Sequence, residues 1–170
     1  AMRMLSKEQV KRREEAAKAE VRIDKLIARC YPEYIISKTP SRYSRVDGFL
    51  LDKDTHEPKI IYETKARNQS LSDLVGDDYS FSIDTAKLLA MQHLSDFLRI
   101  EGVIFTYLLG DGVLLRTPVT SRSGGWSCQK STEEVLAPCN LGGEMIMKSM
   151  STVKLDNSQI LITGGSTGSV

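Results

Sequence analysis

The chain opens on a helical period. Ala16, Ala19, Ile23, Leu26, Ile27 and Cys30 fall on one stripe, which predicts a helix over residues 5–30. Its first half, Lys7 to Glu15, is mostly charged and is expected to face solvent, and Tyr31-Pro32 stops the helix. Strand-like runs then replace the helical period. A short strand is expected from Glu33 to Ser37, and two more over 45–51 and 59–65. Between the last two, Asp52 to Pro58 has the composition of a turn. A polar loop is expected at 68–79, then a second helix from about Ser82 to Ile100 that buries Ile83, Ala90, Leu94 and Phe97. Residues 102–109 and 113–116 predict a hairpin turned by Gly110-Asp111-Gly112. Beyond Pro118 the pattern weakens, with strands or a short helix over 126–139 and 143–155. Gly164 to Val170 reads as a flexible tail or linker.

Helix, three strands, helix, two strands is the order of an α/β domain, a mixed sheet flanked by helices. The 170 residues suit one domain, with its core over about 5–116 and an extension over 117–163. No internal repeat is present. Hydrophobic residues at 41 % and charged residues at 26 % fit an ordinary globular chain. A formal charge of +1 excludes a strongly basic surface, so any nucleic-acid partner must be argued from local patches. Cys30, Cys128 and Cys139 have no metal-type spacing and are expected as free thiols in a reducing compartment. Ala1 before Met2 has the look of a cloning remnant, and Arg3-Met4 leads into a charged helix rather than an apolar leader. No apolar run approaches the roughly 20 residues that a bilayer requires. The expectation is an intracellular, soluble protein with no membrane partner.

Chemistry enters at the two central strands. Paired as a hairpin turning at Thr55, they set Leu51 opposite Lys59, Phe49 opposite Ile61 and Asp47 opposite Glu63. Opposed residues share a sheet face with Cβ atoms about 5 Å apart. Lys65, two positions beyond Glu63, joins the same face. Two carboxylates repel unless a cation compensates them. Hard divalent ions bind through one or two carboxylates plus water and substrate phosphate, and they activate water for attack on a phosphodiester. The competing expectation is a solvated hairpin with Glu63–Lys65 and Asp47–Arg45 salt bridges.

Val46-Asp47-Gly48, sixteen positions from Asp47 to Glu63, then Glu63-Thr64-Lys65, resemble the PD-(D/E)XK nuclease superfamily. The preceding helix and strands match in order, so the resemblance covers about residues 15–116. Val46 departs from the motif by standing where its name has proline. Within the superfamily the spacing is similar to the N-terminal nuclease domain of type I restriction subunits and to small phage nucleases. The resemblance implies a restriction-endonuclease-like αβββαββ core and hydrolysis of DNA, with RNA a further possible substrate. It implies Mg²⁺ or Mn²⁺ held by Asp47, Glu63 and the Thr64 carbonyl, with Lys65 as the catalytic lysine. It also implies a first-helix glutamate at the metal, and a polar or basic residue of the second helix near the scissile phosphate.

Two positions fit those roles on the helical wheel. Glu20 lies beside Ala16, Ile23 and Ile27, at the edge of the apolar stripe, and a carboxylate there needs a partner. Glu15 is at the other edge. Lys87 falls in the apolar stripe of the second helix, where it must snorkel or meet an anion, whereas Gln92 lies on the opposite face. Lys38, Arg42, Tyr43 and Arg45 occupy a stretch with no acid that leads into Asp47; with Arg67 they are the expected backbone contacts for nucleic acid. A second acid-free stretch sets Arg116, Arg122 and Lys130 around Trp126. Other signals point to no chemistry. The Asp52 segment lacks the glycine and closing glutamate of a calcium loop, and His56 and His93 have no ligand spacing for zinc. The rival to an enzyme is a nuclease-like module that binds nucleic acid or protein without cutting.

Overall fold

The computed structural model describes residues 6–39, 45–76, 78–139 and 143–163. Helix α1 (Lys7–Cys30) starts at a capping box, in which the Ser6 hydroxyl accepts from the Gln9 N–H and the Gln9 side chain accepts from the Ser6 N–H. Strands β1 (Tyr34–Lys38), β2 (Gly48–Asp52) and β3 (Pro58–Arg67) come next, then a short helix α2 (Leu71–Gly76). Strand β4 (Ser80–Asp84) leads into helix α3 (Thr85–Leu98). Strands β5 (Glu101–Leu108), β6 (Val113–Thr120), β7 (Lys130–Pro138), β8 (Met145–Lys154) and β9 (Gln159–Ile162) complete the chain.

Six strands form a mixed sheet in the order β1-β2-β3-β5-β6-β9, and three form a second sheet in the order β4-β8-β7. All pairs in the first sheet are antiparallel except β3 with β5, which run parallel with Glu63 beside Ile104. The parallel pair needs a long connection, and β4 and α3 supply it. Alternation along β3 sorts its side chains between two cores. Ile60 and Tyr62 pack with Ile23, Leu26 and Ile27 of α1. Ile61 packs with Leu88 and Met91 of α3 and with Ile83 of β4. Gly102 lets α3 approach β5, since a Cβ there would lie 2.4 Å from Met91 Cγ.

Three expectations need correction. The polar loop at 68–79 contains α2, whose first N–H at Leu71 is held by Asp111 Oδ2 at 2.9 Å from the β5–β6 turn. The second helix begins three residues late, because Ser80 to Asp84 pair with β8, a partner no local pattern reveals. Ile83 is buried from that strand rather than from the helix, and Phe97 is 84 % exposed rather than buried. After Pro118, β8 pairs with β4 and β9 with β6. Among the described residues no helix is long and apolar enough to cross a membrane. Cys30, Cys128 and Cys139 are free thiols.

Candidate functional site

Glu63 sits mid-strand on the α3 side of the sheet with 2 % of its surface exposed. A carboxylate so placed must be compensated, and Lys87 on the first turn of α3 donates to its Oε1 at 2.8 Å. The second oxygen, Oε2, is buried with no hydrogen-bond partner. Burial, and then the charge of Asp47, raise the Glu63 carboxyl above the ordinary range, and Lys87 only partly opposes them. Burial pulls the Lys87 ammonium down, but the Glu63 carboxylate together with Asp47 and Asp84 more than offsets this, and the net displacement is upward. The solvated-hairpin expectation therefore fails for Glu63, which is enclosed and paired with Lys87 rather than Lys65.

Lys65 lies two positions further along the same strand. Among the described residues no carboxylate comes within ion-pair distance of it. Burial, and then the neighbouring Lys87 charge, lower its ammonium to about 8. An amine so displaced is partly neutral near physiological pH and can exchange a proton there.

The expected register holds where Asp47 enters the sheet, with Phe49 opposite Ile61. The ladder between β2 and β3 is regular from Leu50 opposite Ile60 to Gly48 opposite Tyr62, whereas Leu51 faces Pro58 across an irregularity. Asp47 lies just before β2 and donates its own N–H to the Tyr62 carbonyl at 3.2 Å. Its carboxylate does not simply face Glu63. Instead Oδ2 accepts from the Thr64 N–H at 2.7 Å and from Thr64 Oγ1 at 2.8 Å, fixing Asp47 against the edge of β3. From there its charge acts on Glu63, Lys65 and Lys87 on the α3 side and on Asp24 and Tyr62 on the α1 side.

Glu20 is on the α1 side, grouped with Asp24. Lys38 at the end of β1 donates to both, at 2.6 Å to Glu20 Oε1 and 2.8 Å to Asp24 Oδ2. Asp24 is the member that the sequence reading missed. It lies one helical turn beyond Glu20, and that spacing could have revealed it. Its Oδ1 and the Tyr62 hydroxyl are both buried without a hydrogen-bond partner. Burial, and then the charges of Asp24 and Asp47, raise the Tyr62 phenol. Gly48 makes room for it, because a Cβ would lie 2.9 Å from the Tyr62 hydroxyl and 2.6 Å from the Ser37 carbonyl.

The expected nucleic-acid contacts divide. Arg42 and Tyr43 lie outside the described residues, and Arg45 is exposed. Lys38 is committed to the two α1 carboxylates. Arg67 is held in the fold, donating to the Ser82 carbonyl at 3.0 Å and stacking over Phe81 at 5.4 Å. Arg116 pairs with Glu101 at 2.6 Å, and Lys130 lies 4.5 Å over the Trp126 ring. Gln92 donates to the Gly124 carbonyl at 3.1 Å, away from Glu63, and Glu15 is exposed on the projecting half of α1.

The residues present can be tested against a divalent cation. Among the described residues no three His, Cys, Asp or Glu side chains converge closely enough to hold a metal. Mg²⁺ does not require three, since it keeps several waters and commonly binds through one or two carboxylates. The partnerless Glu63 Oε2 with Asp47 nearby fits that requirement. Compared with protein-family models the chain matches none, and no curated protein matches it.

Proposed function

We propose that the chain is a metal-dependent nuclease that hydrolyses phosphodiester bonds of DNA, with a restriction-endonuclease-like core. The observation that carries this reading is the buried Glu63, with one oxygen on Lys87 and the other partnerless, within reach of the charges of Asp47 and Lys65. An antiparallel β1-β2-β3 unit followed by a helix and a parallel β5 supports the core assignment. Asp47 and Glu63 would hold Mg²⁺ or Mn²⁺, with the carbonyl of Thr64, the residue after Glu63, as a further ligand. Such an ion supplies a water of lowered pKa and a Lewis acid for the phosphate. Lys65, partly neutral near pH 8, can take or return a proton at the attacking water. Lys87 meets the negative charge that builds on the phosphate, and it is already oriented by Glu63.

One further observation favours the rival reading of a binding module that does not cut. Glu63 and Glu20 each carry an internal ammonium partner, so the carboxylates are compensated without a metal. Incubation with linear, circular, branched and single-stranded DNA and RNA, in Mn²⁺ or EDTA, separates the two readings. Under the nuclease reading, cleavage requires Mn²⁺ and is lost in Asp47→Ala, Glu63→Ala and Lys65→Ala. Full activity in any one of these folded variants removes the assignment. Isothermal titration should show Mn²⁺ binding that disappears with Asp47→Ala, and no binding to either protein leaves the binding module.

A further inference from the structure

Four strands end the two sheets: β1, β9, β4 and β7. The first three have five, four and five residues, whereas β7 has nine. A long edge is a template for another strand unless charge, proline or a bulge blunts it. The β7–β8 ladder runs from Lys130–Val153 to Pro138–Met145 with no register shift, and proline enters only as its last residue. Every residue of β7 is exposed except the half-buried Val135 and Ala137. Its charges are then the one device left to guard the edge.

The hydrogen bonds show which backbone groups that edge presents. The Gln129 carbonyl accepts from the Lys154 N–H at 2.9 Å, and the Cys139 N–H donates to the Glu144 carbonyl at 2.6 Å. Both positions turn toward β8. Backbone groups alternate between the two sides of an antiparallel strand, so the odd positions between them do the same. Lys130, Thr132, Glu134 and Leu136 therefore present N–H and C=O to the free side, and Pro138 presents a carbonyl alone. The side chains of these even positions share one face of the sheet.

We propose that β7 pairs antiparallel with β7 of a second copy of this chain, with Thr132 opposite Thr132 and Lys130 opposite Glu134. The two three-stranded sheets then become one continuous sheet across a two-fold axis. Charge selects this register. Outward groups must meet outward groups, which leaves few alignments. Here Lys130 and Glu134 of each copy meet the opposite charge on the other, and directly opposed unlike charges are favourable in a sheet. The next alignment sets Glu133 against Glu133, and the one after it Glu134 against Glu134. Further shifts spend an outward position on Pro138, which has no N–H to give. Three hydrogen-bonded pairs form in the chosen register, at two bonds each. The Lys130 ammonium, now over the Trp126 ring at 4.5 Å, is exposed and already lies beside the edge. The pairing goes beyond the nuclease reading and does not depend on it.

Charge exchange and a disulfide on the two-fold axis test this. Sedimentation equilibrium, carried into the hundreds of micromolar because an edge contact is small, should show a dimer. Lys130→Glu or Glu134→Lys alone should weaken association about tenfold, since two attractive pairs become repulsive, and the two together should restore it. In a Cys30→Ser, Cys128→Ser, Cys139→Ser background, Thr132→Cys should give a covalent dimer with copper phenanthroline, because its Cα lies about 5.5 Å from its own copy. Glu134→Cys should not, as four residues of offset separate its copies by about 13 Å. All of these positions are exposed, so each variant should unfold like the parent. A monomer at every concentration overturns the proposal and leaves the edge to an extended segment of another protein. Association indifferent to both single reversals, or Glu134→Cys linking as readily as Thr132→Cys, overturns it too. The nuclease reading fails separately, if the parent cuts nothing in Mn²⁺.

Discussion

Replacing Lys87 by methionine removes the one ion-pair partner seen for a buried carboxylate while keeping most of the stem's volume. Breaking a buried pair by deleting one member costs about 3–5 kcal/mol, because the other charge is stranded. Here Glu63 is 2 % exposed but the Lys87 side chain is 29 % exposed, so water reaches the pair from one side. Halving the figure for that screening gives about 2 kcal/mol at pH 8. For a chain of this size that corresponds to a fall of about 4–8 °C in Tm. The loss should shrink in acid. Without Lys87, Glu63 titrates even higher in the folded state than its already raised value, whereas the unfolded chain keeps the ordinary one near 4.3. Between those values the folded state binds more protons, so the variant loses stability as pH rises and regains it toward pH 5. A divalent cation should substitute for the missing ammonium, stabilising Lys87→Met by more than it stabilises the parent, by about 2.7 kcal/mol at a hundredfold excess over Kd. The assay is urea unfolding at pH 5 and pH 8, with and without Mg²⁺. A loss below about 0.5 kcal/mol at both pH values would refute the reasoning, because surface substitutions alone reach that size.

Three other substitutions check separate parts of the structure. Gly48→Ala should destabilise by about 2 kcal/mol or more, since its methyl would meet the Ser37 carbonyl and the Tyr62 hydroxyl; thermal unfolding close to the parent's would contradict the packing at the start of β2. Lys65 is held near 8 in the folded state against about 10.4 unfolded, so the parent should gain stability as pH rises from 8 toward 10. Lys65→Met should flatten that gain, on the order of 1 kcal/mol after partial screening, and unchanged pH-dependent unfolding would count against the shift. Phe97→Ser should lie within about 0.5 kcal/mol of the parent, as expected for a side chain 84 % exposed, and a loss of several kcal/mol would return Phe97 to the core.

Local pattern carried much of this molecule. The stripe through Ile23, Leu26 and Ile27 determined both that α1 forms and which face it buries. The β2 and β3 runs, the β5–β6 hairpin and the placement of Lys87 where it had to meet an anion were legible for the same reason. Each depends on the side-chain direction fixed by a helix or a strand over a few residues. Legibility ended where a distant partner chose the conformation. Ser82 to Asp84 read as the start of a helix, and β8, far along the chain, makes them part of a strand. The Asp47 carboxylate accepts from the Thr64 N–H and hydroxyl, a choice of partner that strand alternation does not report. That Glu20 and Asp24 share Lys38 is decided by β1 rather than within α1, and the approach of Gln9 to Gly143 has no trace in either segment. Sequence settled the apolar face of α1 and which residue types gather near the end of β3. Long-range pairing decided which carboxylates share a cation, because a charge finds its partner through space rather than along the chain.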